Sequence, residues 1–157
     1  MATISTVRSK IYVIMSRVQI LSRKLLHESH SVRLRATTNL IFKVKSDLLS
    51  DAPECALDIL QNLNSALVLV KSDTAESREF VSLLINLAID IVQQYSGRVF
   101  LDELIATTVA QTNRLFNEGL IGSNLLEKLN EVYMKILINH RMIIYVGIGC
   151  IVVPFQP

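Results

Sequence analysis

Apolar residues recur at intervals of three and four along nearly the whole chain, and sustained period-two alternation is absent, so the sequence is committed to amphipathic helices and not to a half-buried sheet. In the first segment Ile4, Val7, Ile11, Ile14, Val18, Leu21 and Leu25 form one stripe, which predicts a helix from about Ser5 to about Leu26. Ser29 and Ser31 are candidate caps for a second helix, whose inner side is Val32, Ala36, Leu40, Val44 and Leu48. Asp51-Ala-Pro53-Glu54 supplies a cap acid, a first-turn proline and a glutamate three residues after the cap, predicting a helix from Pro53 to about Val70 with Leu57, Leu60, Leu63 and Leu67 inward. Asp73-Thr-Ala-Glu76 repeats this capping pattern before a helix through Phe80, Leu84, Leu87 and Ile91 to Tyr95, where Gly97 is expected to close it in the left-handed conformation. A fifth helix, Val99 to Asn117, carries Leu101, Leu104, Ile105, Thr108 and Leu115 and ends at Gly119. Asn124 and Glu127 begin the last, with Leu126, Leu129, Tyr133, Ile136 and Leu137.

Six helices in chain order make three consecutive pairs. Pro53 and Val99, which open the second and third pairs, lie 46 residues apart, and the first pair fills about the same length. A helix-pair period of roughly 40 to 47 residues is that of HEAT and armadillo repeats, whose pairs bury their apolar sides by stacking on neighbours. The expected fold is therefore all-α, an armadillo/HEAT-like α-solenoid segment of about three helix pairs over residues 1–139; an irregular six-helix bundle fits the same periodicity. Residues 140–157 depart from the pattern. The uncharged run from Met142 to Phe155 is rich in β-branched residues and has 14 residues, short of the roughly 20 of a transmembrane helix. A membrane partner is not expected. The tail's status stays open between a weak anchor, a strand-like or helical cover over the last pair, and an unnatural terminus.

Chemistry has few footholds. The nucleophile elbow G-x-S-x-G, the phosphate loop G-x-x-x-x-G-K-[ST] and the zinc helix H-E-x-x-H are missing. His27 and His30 are three apart with no cysteine or third histidine close by, a weak metal pattern. Asp51, Glu54, Asp73 and Glu76 are accounted for by helix starts, and the adjacent Asp102 and Glu103 diverge by about 100° on a helix, so they are poorly placed to share a proton. Two cysteines, Cys55 and Cys150, make no disulfide framework and read as a reduced intracellular chain. The expectation is a protein that is not an enzyme, with no cofactor, metal or small-molecule substrate.

Charge is distributed unevenly. Residues 1–45 hold nine of the 16 Lys and Arg against a single acid, Glu28, for a net +8, and the remaining 112 residues sum to −6. Such a segment can meet an acidic partner, stack on a second copy, or be a solvated face. The candidate partner-binding or inter-repeat residues are Arg23, Lys24, Arg33, Arg35, Lys43 and Lys45. Nine aromatics and no Trp leave few stacking anchors, so sequence-specific nucleic-acid recognition is poorly supported; a basic nucleic-acid-binding helical domain remains an alternative. Residues 1–27 hold only one class of charge until Glu28 and are serine-rich and amphipathic, so a mitochondrial protein imported through this helix is another.

The 27-residue stretch Arg23 to Leu49, RKLLHESHSVRLRATTNLIFKVKSDLL, resembles the start of the N-terminal armadillo-like domain of the rotatin family. The resemblance is carried by Arg23, Lys24, Leu25 and His27, then Val32, Arg33, Arg35 and Ala36, then Leu40, Ile41, Lys43, Val44, Leu48 and Leu49, in register without a gap. From Asp51 to about Asn139 it is architectural only. It implies a non-enzymatic scaffold and protein-interaction module of centrioles and ciliary basal bodies, acting in centriole assembly and cilium formation through other centriolar proteins. It also implies a cytoplasmic, cytoskeletal location, and in that setting Arg33 or Arg35 would brace neighbouring repeats.

Overall fold

The structure, a computed structural model, describes residues 4–146 and 149–154; residues 1–3, Gly147, Ile148 and residues 155–157, the last of which belong to the apolar tail, lie outside it. Among the described residues the body is all-helical, with six helices: α1 (Ile4–Lys24), α2 (His30–Lys45), α3 (Cys55–Leu69), α4 (Ala75–Tyr95), α5 (Asp102–Asn117) and α6 (Ser123–His140). They are followed by β1 (Arg141–Val146) and β2 (Gly149–Pro154), an antiparallel ribbon in which Arg141 faces Pro154 and Val146 faces Gly149. The β-branched residues of this stretch suit an extended backbone.

Helices pack in a regular order. Odd-numbered helices touch in sequence, α1 on α3 and α3 on α5, and even-numbered helices likewise, α2 on α4 and α4 on α6. Within pairs, α1 meets α2, α3 meets α4 and α5 meets α6, and α4 also touches α5. The middle pair thus has neighbours on both sides, which explains its composition. Ile59, Leu60, Leu63 and Leu67 of α3 and Leu84, Ile85, Leu87 and Ile91 of α4 are all fully buried, whereas in α1 only Val18 and Ser22 are buried among described side chains, with Leu25 just beyond its end. Ile11, Ile14 and Leu21 pack partly against the core, and Val7 at the start of the expected stripe is exposed.

Several polar groups inside the body are satisfied across helices, although the buried Ser22 hydroxyl and His30 Nδ1 have no hydrogen-bond partner among the described residues. Asn64, buried in mid-α3, donates from Nδ2 to the Leu104 carbonyl of α5 at 2.9 Å and accepts from the Thr108 hydroxyl at 2.6 Å. Arg114 of α5 reaches the end of α3, donating from Nη2 to the carbonyls of Leu67 at 2.8 Å and Val70 at 3.2 Å. Those carbonyls belong to the helix end whose acceptors lack intrahelical donors, and a cation there also complements the helix dipole.

The helix ends differ from the sequence expectations in several places. Thr74, not Asp73, caps α4: its Oγ1 accepts from the Ser77 amide at 3.0 Å, while Asp73 is drawn away by a two-pronged pair with Arg78 at 2.7 and 2.9 Å. Asp51 does not cap α3, which begins four residues later, after a series of tight turns through residues 46–54. Ser29 precedes α2 without a side-chain cap bond, its hydroxyl being engaged with that of Ser31 at 3.0 Å. Gly119 has φ 80° and closes α5 as expected, with the Leu120 amide bonded to the Leu115 carbonyl and the Gly119 amide to that of Phe116. Gly97 does not use the left-handed region. Asp47 does, at φ 52°, and it ends α2 with the same pair of bonds: Leu48 amide to Lys43 carbonyl, Asp47 amide to Val44 carbonyl. This turn leaves Leu48 exposed and puts Leu49 into the core in its place. Its carboxylate then accepts from the Tyr95 hydroxyl at 3.2 Å and lies 3.7 Å from Arg98, tying the turn after α2 to the end of α4. α5 starts at Asp102, later than Val99, and α6 at Ser123.

Candidate interaction surface

The six basic candidates do not form one patch, because the helical period sends them in different directions. Arg33 turns toward the body: its Nη1 donates to the carbonyls of His27 and Glu28, both at 2.8 Å, and its guanidinium sits 5.1 Å from the ring centroid of Phe80 on α4. It therefore closes the α1–α2 turn and lies on an aromatic face of the second pair in one conformation. Arg35, two positions on, is exposed. Arg23 and Lys24 are exposed in the last turn of α1, where positive charge is favoured by the helix dipole. Lys45 is exposed and lies 3.9 Å from Asp90 of α4. Burial raises the Asp90 carboxyl above the ordinary carboxylate range, against the pull of Lys45 and Lys128.

Lys43, like Arg33, lines a concavity. It lines two adjoining cavities of about 310 and 220 Å³ together with Arg17, a residue outside the sequence-derived set. The first also takes Ile20, Leu21 and Asn39, and the second Ile14, Val18, Leu48 and Leu49. Both belong to α1, α2 and the turn after α2, and no residue of α3 or α4 lines either. Arg17 had a signal in the sequence: Val13, Arg17, Ile20 and Lys24 recur at helical spacing, in a stripe flanking the Ile14–Val18–Leu21 side of α1.

Several titratable groups elsewhere have structural partners. A cleft of about 330 Å³ near the α1–α2 turn is lined by His27, Glu28, Arg33, Lys71 and Phe80, among others. His27 accepts the Ser29 amide on Nδ1 at 2.9 Å, and His30 places Nε2 3.6 Å from Glu79, so the two histidines have separate partners. Among the described residues no group of three or more His, Cys, Asp or Glu is positioned to hold a metal ion. Cys55 is buried in the first turn of α3, and burial, reinforced by Asp58 and Glu54, pushes its thiol up to about 11, far from an activated nucleophile. Tyr95 is pushed up to about 12, chiefly by burial and then by its bond to Asp47. Asp102 is buried while Glu103 is exposed, so the adjacent acids occupy different surroundings. No helix among the described residues is long and apolar enough to cross a membrane.

What the arrangement offers chemically is shape and charge: a groove with an apolar floor and two cations, on a stack of helices held by cross-helix hydrogen bonds. The chain matches no protein-family model, no curated protein and no solved structure.

Proposed function

We propose that the chain is an α-solenoid segment that works as a non-enzymatic scaffold, displaying helix surfaces to other proteins. The observation that carries this reading is the order of packing, odd on odd and even on even with a contact inside each pair. An irregular bundle has no reason to keep that order, whereas stacked pairs with nearest-neighbour contacts produce it. Arg33 supports the reading by joining the turn of the first pair to Phe80 of the second.

The resemblance of Arg23–Leu49 to the leading domain of the rotatin family gives the scaffold a place, the centriole or ciliary basal body, and partners among centriolar proteins. The test is to express the chain tagged at either end in ciliated dividing cells and to image it against a centriole marker, with and without residues 140–157. Discrete centriolar spots are expected. Diffuse signal from both forms refutes the placement, and mitochondrial signal from the C-terminally tagged form replaces it with the import reading.

A further inference from the structure

We propose that the groove between α1 and α2 docks an acidic amphipathic helix of a partner protein, with its apolar side on Ile14, Ile20 and Leu48 and its carboxylates on Arg17 and Lys43; this rests on the scaffold reading above.

Shape is the first argument. The two cavities share Arg17 and Lys43, so they are parts of one concavity running along the antiparallel pair. From Ile14 to Leu21 it follows α1 for about 10 Å, two helical turns. Its floor is apolar yet open: Ile20 is 54% and Leu48 48% exposed. On its other side this same pair receives α3 and α4, helix on helix. A further helix laid into the open groove repeats a packing that the pair already makes, and a partner reads such a groove with apolar residues at three- and four-residue spacing.

Charge is the second. Residues 1–45 contain one acid, Glu28, and that residue lines the separate cleft at the α1–α2 turn. Among the described residues the ion pairs are those of His30, Lys45, Arg78, Arg98 and Arg114, so neither Arg17 nor Lys43 has a carboxylate at ion-pair distance. Carboxylates on the rim of a docked helix complete both, and such complementarity selects partner and orientation. The apolar floor separates this site from a nucleic-acid track. Among the described residues no aromatic side chain lines the groove to stack a base, and phosphate contacts alone leave Ile14, Ile20 and Leu48 uncovered.

The probe is a fluorescein-labelled peptide of about four helical turns, leucines at three- and four-residue spacing and glutamates between them, titrated with the full chain and followed by anisotropy. A shuffled peptide of the same composition and a DNA duplex serve as controls. The amphipathic peptide is expected to bind at least about tenfold more tightly than either, and Arg17→Glu with Lys43→Glu to weaken it by at least about tenfold. Ile20→Asp, on an exposed position, is expected to lower affinity with an unchanged melting temperature. Equal binding of the shuffled peptide or tighter binding of DNA overturns the inference, as does full affinity in the charge-reversed chain. So does sedimentation showing that wild type self-associates through the groove while Arg17→Glu/Lys43→Glu does not, since the occupant is then a second copy. Centriolar localisation of a chain that ignores the peptide refutes the groove and leaves the scaffold standing; peptide binding by a chain that is diffuse in cells refutes the placement and leaves the groove.

Discussion

Arg33→Met separates a bracing arginine from a recognition arginine. Wild-type Arg33 makes two charge-assisted hydrogen bonds of 2.8 Å to the His27 and Glu28 carbonyls and stacks over Phe80, which is only 4% exposed. Bonds to charged groups contribute about 1.5 to 3 kcal/mol each; these two are open to solvent and Arg33 is only half-buried, so about 1 kcal/mol each is the appropriate scale. The cation on the ring adds about 0.5 to 1 kcal/mol. Methionine keeps most of the aliphatic packing of the stem, so the expected loss is about 2 to 3 kcal/mol. At about 2 to 4 °C per kcal/mol for a chain of this size, the melting temperature falls by about 5 to 10 °C.

Thermal unfolding followed by far-ultraviolet circular dichroism measures this directly. Arg33→Lys should recover about half of the loss, because an ammonium can still lie on Phe80 but cannot offer a planar fork to two carbonyls. A double-mutant cycle with Phe80→Leu should give a coupling of about 0.5 to 1 kcal/mol. An Arg33→Met chain that melts within about 1 °C of wild type refutes the reasoning, and Arg33 then belongs to the free surface with Arg35.

Two further perturbations test the interior. Asn64→Leu is expected to cost about 2 kcal/mol in urea unfolding, because it removes two cross-helix bonds, 2.9 Å to the Leu104 carbonyl and 2.6 Å from the Thr108 hydroxyl, which keeps the Leu104 carbonyl at 3.0 Å. Asn64→Leu combined with Thr108→Val should cost less than the two single changes added together, and strict additivity would show that the pair is not coupled. Cys55 gives a pH dependence with a defined sign: the unfolded thiol ionises near its ordinary 9.0, while the folded one holds its proton up to about 11. Stability from this group is full below pH 9 and declines from there to about pH 11, by up to about 2 to 3 kcal/mol. Cys55→Ala should flatten that part of the stability curve, and an unaltered slope would remove the thiol as its cause.

Helix number and order are readable from the sequence because each helix carries its own period of three and four, a local signal. Leu60, Leu63, Leu84, Leu87 and Ile91 are read correctly from it and are fully buried. The ends are less legible because several side chains compete for the same few backbone groups. Asp73 and Thr74 are both good caps, and only the position of Arg78, which takes the aspartate, decides for the threonine. Gly97 and Asp47 show the converse. Glycine permits the left-handed conformation without demanding it, and Asp47 adopts it where Tyr95 and Arg98, about fifty residues on, reward the carboxylate's placement. The groove is harder still, since Arg17 and Lys43 are separated by a turn and meet only after α1 and α2 have packed.

The division of the basic segment also explains how one run of charge can serve two ends. Arg33 is held by carbonyls and an aromatic ring, and Lys45 is set against the partly buried Asp90, so both act at contacts between helices. The bonds of Arg33 are short, at 2.8 Å, whereas Lys45 is exposed and its 3.9 Å pair with Asp90 weakens as salt is added. Arg17 and Lys43 face a groove open to solvent. Their field extends over about a Debye length, roughly 8 Å at physiological ionic strength, far enough to steer an acidic helix toward Ile14, Ile20 and Leu48, and once it is docked their pairs with its carboxylates add to the hold. The rest of the hold comes from the apolar floor, whose burial is not screened by salt. The net +8 of the first 45 residues is thus a poor guide to binding strength: part of it is consumed at contacts between helices, and what remains directs a partner whose hold is shared between the two groove cations and the apolar floor.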